Sequence, residues 1–145
     1  MIYGKYVESE AVINRFIGRN VFFYYLCGGR GIGKTYGAMD LCRKIGTGAL
    51  DLLGVPGKFL YLRRTAVEAI SVASPESCPF KKYNANEGYS ICADFDQKRG
   101  FGQFYYDEEM KCPIGYVAAL STFANLRGID FSDVTIILYD ECIPE

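Results

Sequence analysis

The stretch Gly28-Gly29-Arg30-Gly31-Ile32-Gly33-Lys34-Thr35 decides how the rest of the sequence is interpreted. It matches the pattern G-x-x-x-x-G-K-[ST], and such glycine-rich backbone can wrap consecutive N–H groups around a polyphosphate. The apolar run from Val21 to Cys27 precedes it and predicts a strand buried on both faces. Thr35 to Ile45 carries apolar residues at helical spacing, so a helix follows the loop. This order of strand, loop and helix is the context in which the pattern binds phosphate.

The pattern assigns a role to each polar residue of the loop. Lys34 is expected to reach the β- and γ-phosphates of ATP, and the Thr35 hydroxyl to hold Mg²⁺. Arg30 can stabilise charge on the γ-phosphate or gate access to it, although a solvent-facing loop arginine is the alternative. The predicted ATP-binding residues are Gly29, Arg30, Gly31, Ile32, Gly33, Lys34, Thr35 and Tyr36.

A second signal is the carboxylate pair that ends the apolar run from Val134 to Tyr139. Asp140, at the tip of a predicted core strand, can take a further contact to the Mg²⁺ held by Thr35. Glu141 can polarise an attacking water, which a hydrolase needs and a nucleotide kinase does not. An Asp-Glu pair alone is usually a solvated strand end, but this position favours a metal and catalytic role. The predicted catalytic residues are therefore Glu141, Lys34 and Arg30, and the predicted metal ligands are Thr35 and Asp140.

The remaining periodicity indicates an α/β fold. A helix capped by Ser9 is expected to run through Ile17, and a short helix capped by Thr65 to run to Val72. Lys58 to Arg64 reads as a second strand. Three further strand-like runs between Tyr89 and Leu120 predict an antiparallel meander inserted between core strands.

Several basic residues have two interpretations each. Lys81-Lys82 and Lys98-Arg99 lie near aromatic residues, which is consistent with contact to a DNA backbone, but each pair also fits a solvated turn. Arg127 could face the nucleotide of a neighbouring subunit or be an ordinary loop arginine. Arg63-Arg64 could be a basic contact or take part in structural ion pairs.

Composition excludes several classes of function. Sixteen basic and seventeen acidic residues leave a net charge of −1, so binding of nucleic acid through bulk positive charge is excluded. The sequence has no His, which excludes imidazole catalysis and His-ligated metal. Its six cysteines form no C-x-x-C pair and predict reduced, structural thiols in a cytosolic protein. No apolar run is long enough to predict a membrane span.

Three segments together resemble one family, the DNA encapsidation ATPases of small tailed phages, which are relatives of the large terminase subunits. They are Gly29-Arg30-Gly31-Ile32-Gly33-Lys34-Thr35-Tyr36, Phe59-Leu60-Tyr61-Leu62-Arg63-Arg64 and Ile136-Ile137-Leu138-Tyr139-Asp140-Glu141. The arginine within the loop and the Tyr-Leu-Arg-Arg strand make the resemblance specific. It extends over most of the chain, from about Phe22 to Ile143.

The resemblance implies a P-loop ATPase domain over 1–145, of the class with an additional strand and a catalytic glutamate. Its sheet would be mainly parallel, with a small antiparallel β insertion at 86–120. It implies a homo-oligomeric ring, with a pentamer as a candidate, that uses ATP and Mg²⁺ to thread double-stranded DNA through a portal into a procapsid. The family's residue roles fall on Arg30, Lys34, Thr35, Asp140 and Glu141, and the cytoplasm of an infected bacterium is the expected location.

The family's additional strand would follow Glu141 in sequence, and its second domain has a nuclease-like fold. Neither is accounted for here, so we expect the sequence to be the N-terminal part of a longer protein. Two other functions remain open at this point. One is a P-loop nucleotide kinase, and the other is a nucleotide-gated ring scaffold without catalysis.

Overall fold

The computed structural model describes residues 2–3, 6–7, 9–15, 23 and 33–140. The helices are α1 (Ser9–Asn14), α2 (Lys34–Gly46), α3 (Ala66–Ser71) and α4 (Lys81–Glu87), with a 3₁₀ helix at Leu120–Asn125. The strands are β1 (Ile2–Tyr3), β2 (Tyr6–Val7), β3 (Lys58–Arg63), β4 (Cys92–Asp96), β5 (Phe101–Tyr105), β6 (Pro113–Ala119) and β7 (Val134–Tyr139).

The core is a five-stranded mixed sheet in the order β4-β5-β6-β3-β7. Strands β6, β3 and β7 are parallel, whereas β4, β5 and β6 pair in antiparallel fashion. The predicted α/β class is confirmed. The three runs after Tyr89 do form an antiparallel meander, but its third strand is itself the parallel neighbour of β3. The antiparallel strands expected at 86–120 follow β3 and precede β7 in sequence, and through β6 they are continuous with the main sheet.

Helices cover one face of this sheet and irregular chain covers the other. On the first face, α2 contributes Met39 and Cys42 to a cluster that includes Phe59, Phe80 and Phe104. The opposite cluster is closed by the 3₁₀ helix and the segment after it; its members include Leu60, Leu62, Phe101, Tyr116, Phe123, Leu126 and Phe131. Because β3 is buried between both layers, its sequence is continuously apolar from Phe59 to Leu62.

Helix α4 is one of the elements that the sequence analysis does not predict, as are β1, β2 and the 3₁₀ helix. Its sequence, KKYNANE, has no apolar stripe, and only Tyr83 is buried. Tertiary contacts stabilise it, since the Asn84 side chain donates to the Ile91 carbonyl at 2.8 Å and accepts from the Ile91 N–H at 3.1 Å. Gly88, with φ 74°, ends the helix in the left-handed conformation that glycine favours.

The strand directions bring the ends of several strands, and the turns next to them, to one edge of the sheet. Arg63 pairs with Ala119 and Leu62 with Tyr139, so the parallel strands finish together. Strand β5 runs the other way and begins at this edge, where Phe101 pairs with Ala118. The turn at 97–100, the 3₁₀ helix and Asp140 consequently all adjoin the carboxyl edge of β6, β3 and β7.

The remaining predictions about local structure have mixed outcomes. Helix α1 ends at Asn14, because Arg15 is already in a turn. Phe16 and Ile17, which were expected to belong to this helix, lie outside the described residues, as does most of the predicted strand from Val21 to Cys27. Cys42, Cys78, Cys92 and Cys112 are free thiols, and burial raises the pKa of Cys42. None of the helices that the structure describes is long and apolar enough to cross a membrane.

Candidate functional site

An open cleft of about 320 Å³ lies at the carboxyl edge of the sheet. We call it the Thr35–Asp140 cleft; its lining residues are Thr35, Tyr61, Arg63, Glu68, Ser71, Val72, Ser77, Pro79 and Asp140. The two predicted metal ligands, which are far apart in sequence, therefore line one cleft. Thr35 enters from the first turn of α2, and Asp140 from the end of β7.

Strand β3 holds the Asp140 carboxylate in position. The hydroxyl of Tyr61 donates a hydrogen bond to Asp140 Oδ2 at 3.1 Å, and an Arg63 guanidinium nitrogen lies 4.0 Å from the same oxygen. Burial raises the pKa of Tyr61, and the charge of Asp140 raises it further, so the phenol stays protonated and able to donate. Tyr61 and Arg63 share one face of the strand because side chains alternate.

Glu68 is fixed by the start of α3. Thr65 caps this helix, with its hydroxyl 3.4 Å from the Glu68 N–H, while Glu68 Oε2 accepts from the Thr65 N–H at 2.9 Å. This reciprocal capping box confirms the predicted cap. The hydrogen bond from the Thr65 backbone lowers the pKa of Glu68, with Arg63 and Arg64 contributing less.

Arg63 and Arg64, which could be a basic contact or take part in structural ion pairs, do form ion pairs. Guanidinium nitrogens of Arg63 and Arg64 lie 3.7 and 3.8 Å from Glu68 Oε1. Arg63 also reaches Asp140 and so links the start of α3 to the end of β7. Because Arg63 pairs with both carboxylates that line this cleft, these side chains are oriented before any ligand arrives.

The start of α2 follows directly on the predicted phosphate-binding loop. Gly33 precedes it with φ 81°, and the Gly37 N–H donates to the Gly33 carbonyl at 2.8 Å. The first turn has no acidic residue, and no side-chain cap is present among the described residues. N–H groups at such a helix end carry partial positive charge and favour a negatively charged ligand.

Tyr36, predicted to bind ATP, extends toward α4. Its hydroxyl donates to Glu87 Oε1 at 2.6 Å, which raises the pKa of Tyr36, and its ring packs 5.4 Å from that of Tyr83. Tyr83 in turn donates to Asp40 Oδ1 at 2.7 Å and accepts from Arg43 Nε at 3.0 Å. These contacts anchor α2 to α4 beside the cleft.

Five predicted site residues have no described geometry. Gly29, Arg30, Gly31, Ile32 and Glu141 lie outside the described residues. Their assignments remain predictions from sequence.

The basic residues separate into two groups. Lys98, Arg99 and Arg127 line a second cleft of about 230 Å³, whose other lining residues are Asn125, Leu126, Gly128 and Ile129. We call this the basic cleft. Lys81 and Lys82, by contrast, begin α4 and do not occupy the solvated turn considered above. Lys81 Nζ pairs with Glu76 Oε2 at 2.7 Å.

The residues of the Thr35–Asp140 cleft fit Mg²⁺ bound together with a nucleotide. No group of three His, Cys, Asp or Glu side chains that could hold a metal occurs in the part of the chain that the structure describes. Magnesium in nucleotide sites needs no such cage, because one or two protein oxygens, phosphate oxygens and waters complete its octahedron. The Thr35 hydroxyl and the Asp140 carboxylate are donors of that kind.

Sequence reasoning missed several residues of this cleft: Tyr61, Glu68, Ser71 and Ser77. A signal existed for one of them, since Thr65-x-x-Glu68 is a capping-box pattern that places Glu68 beside the end of β3. Because side chains alternate along a strand, Tyr61 is expected on the same face as Arg63. That this face adjoins Asp140 could be predicted only by knowing that β7 is the neighbouring strand. Ser71 and Ser77 carry no comparable signal.

Comparison of the chain with models of protein families, with curated proteins and with solved structures gave no match. The resemblance drawn from the three segments therefore stays an expectation.

Proposed function

We propose that the chain is a P-loop ATPase of the catalytic-glutamate class that hydrolyses ATP with Mg²⁺. We further propose that a homo-oligomeric ring of it uses this energy to move double-stranded viral DNA through a portal into a procapsid. The observation that carries the proposal is that Thr35 and Asp140, predicted separately from two motifs, line one cleft. Site residues at the carboxyl ends of parallel strands are typical of α/β nucleotide-binding proteins.

In this proposal the start of α2 binds the polyphosphate. Lys34 neutralises the β- and γ-phosphates, and the N–H groups of the first turn add their partial positive charge. Mg²⁺, when bound, neutralises the charge that develops on the transferred phosphate, and Thr35 and Asp140 would be its protein ligands. Arg30 stabilises the γ-phosphate and Glu141 orients the attacking water.

Tyr61 and Arg63 hold the Asp140 carboxylate in a fixed orientation for binding the metal. The hydrogen bond at 3.1 Å and the ion pair at 4.0 Å both involve Oδ2, and they restrict how the carboxylate can rotate. A carboxylate that is already oriented loses less conformational entropy when it binds a metal complex. We therefore assign Tyr61 and Arg63 as positioning residues.

The test is ATP binding and phosphate release by the full chain, with and without duplex DNA. Glu141→Gln should bind ATP like the wild type but release no phosphate, because the amide cannot polarise water. Lys34→Ala should weaken ATP binding by about 10- to 150-fold, corresponding to the loss of charge-assisted hydrogen bonds of about 1.5–3 kcal/mol. Lys111→Ala, an exposed lysine outside both clefts, is the matched control and should change neither measurement.

The other functions predict different results. Transfer of phosphate to a small acceptor without dependence on DNA would contradict the proposal and indicate a nucleotide kinase. ATP binding with no turnover in the wild type would indicate the ring scaffold. Equal ATP affinity of wild type and Lys34→Ala would contradict the phosphate-binding role of the loop.

A further inference from the structure

We propose that the basic cleft is a binding site for the phosphodiester backbone of duplex DNA. Lys98 and Arg99 come from the turn between β4 and β5, and Arg127 comes from the turn after the 3₁₀ helix. Three cations from two separate turns thus converge on one surface. The choice of duplex DNA as the ligand rests on the proposed function, whereas the choice of this surface rests on its structure.

The charges of the basic cleft are not neutralised within the described protein. None of the lining residues is acidic, and Lys98, Arg99 and Arg127 form no ion pair among the described residues. All three side chains are exposed. In a chain with a net charge of −1, three adjacent unpaired cations form a local positive patch that attracts an external anion.

Asp96 and Asp130, which lie close in sequence to these cations, accept hydrogen bonds from the backbone. Asp96 Oδ1 accepts from the N–H groups of Lys98 and Arg99 at 3.0 and 3.3 Å. On the other side of the cleft, Asp130 Oδ1 accepts from the Ser132 N–H at 2.8 Å. These carboxylates shape the two turns, and the cations stay available to a ligand.

The two turns are anchored to the same part of the core, which fixes their relative position. Leu126 is buried in the cluster that also contains Phe101. The Arg99 guanidinium lies over the Phe101 ring at 5.7 Å, a cation–π contact. Gly100 and Gly128 adopt φ values of +69° and +86°, which other residues rarely adopt. The cations are therefore presented from defined turns and not from long mobile loops.

The shape of the cleft favours a polymer backbone over a small ligand. Pockets for small molecules usually have about 300–1,000 Å³ and bury most of the ligand. The basic cleft has about 230 Å³, and its polar side chains are exposed. Such a surface can contact phosphates along a strand without enclosing them, as phosphate contacts in protein–DNA complexes do.

The basic cleft is separate from the Thr35–Asp140 cleft of the same subunit. The two share no lining residue, although both lie at the carboxyl edge of the sheet. Between β7, which carries Asp140, and β5 there are two intervening strands, or roughly 14 Å at the usual spacing. DNA at the basic cleft would thus lie along the same edge as the nucleotide, and both could be bound at once.

The experiment is titration of a short duplex with the full chain at several salt concentrations, without nucleotide. Combined replacement of Lys98, Arg99 and Arg127 by Gln should weaken binding at low salt at least about tenfold. The slope of log K against log salt should fall by about 3, or about 1 for each lost phosphate contact. Because backbone contacts carry no base information, the loss should be similar for duplexes of different sequence.

The control removes exposed charges elsewhere, by replacing Arg15 and Lys111 with Gln. Both residues are exposed, neither lines either cleft, and neither is predicted to contact DNA. This variant should keep the affinity and the salt slope of the wild type. An equal loss in both variants would overturn the proposal, because binding would then follow overall charge. Absence of duplex binding by the wild type would overturn it as well.

The result of the duplex titration can be distinguished from the result of the test of the proposed function. ATP binding is measured in its own titration without DNA, so failure there contradicts the ATPase and leaves the DNA result intact. Conversely, the chain could hydrolyse ATP while its basic-cleft variant binds duplex like the wild type. That result would support the ATPase proposal and contradict the DNA site at the basic cleft.

Discussion

The Thr35–Asp140 cleft and the basic cleft lie along the same edge of the sheet but differ in whether their charged side chains form ion pairs within the protein. In the first, Arg63 contacts both Asp140 and Glu68, so cations and carboxylates are paired within the protein. In the second, Lys98, Arg99 and Arg127 are unpaired among the described residues. Paired charges stabilise the fold and orient a site in advance, whereas unpaired charges gain their partners from a ligand. The two clefts should therefore respond differently to substitution.

The largest effect on stability should come from Arg63. Its side chain is only 16% exposed and joins two carboxylates. Arg63→Met keeps most of the aliphatic packing but leaves Asp140 and Glu68 without this partner. We expect the free energy of unfolding to fall by about 1–2 kcal/mol, as measured by urea denaturation. Arg63→Lys is the matched control and should recover part of this loss, and equal stability of Arg63→Met and wild type would show that the pairing is not structural.

A smaller effect is expected at the cap of α3. Thr65→Ala removes the hydroxyl that caps the helix and loosens Glu68, the partner of Arg63 and Arg64. The loss in free energy of unfolding should be about 0.5–1 kcal/mol. Thr65→Ser retains the capping oxygen and should be close to wild type in the same denaturation experiment. A Ser variant as unstable as the Ala variant would point to the methyl group and not to the cap.

The smallest effect is expected in the basic cleft. Replacing Lys98, Arg99 and Arg127 by Gln breaks no ion pair among the described residues, so the free energy of unfolding should change by no more than about 0.5 kcal/mol. Thermal denaturation beside the DNA titration checks this. A large loss of stability would mean that these cations serve the fold, and the contrast between the two clefts would not hold.

Local patterns predicted the elements that carry the first cleft. Strand β3 is apolar from Phe59 to Leu62, α2 has a clear apolar stripe, and Thr65 is a good cap for α3. Each of these elements was therefore predicted close to its observed bounds. These signals are local because the residues that form each element also provide the burial or the hydrogen bond that stabilises it.

The elements that sequence reasoning missed depend on distant residues. Helix α4 forms because Tyr83 packs against α2 and Asn84 bonds to Ile91, neither of which its own composition indicates. The parallel pairing of β6 with β3 joins segments that are separated in sequence by two helices and two strands. The basic cleft has the same origin, since only the tertiary fold brings Arg127 beside Lys98 and Arg99.

The dependence of ATP affinity on Mg²⁺, in the wild type and in Asp140→Asn, tests the central claim most directly. Asn keeps an oxygen that can accept from Tyr61 but loses the charge that would face the metal. We expect Mg²⁺ to strengthen ATP binding by the wild type and Asp140→Asn to lose most of this gain, while the two proteins bind ATP alike in EDTA. A wild type whose ATP affinity is the same with Mg²⁺ and with EDTA, or an Asp140→Asn variant with the full Mg²⁺ effect, would contradict it.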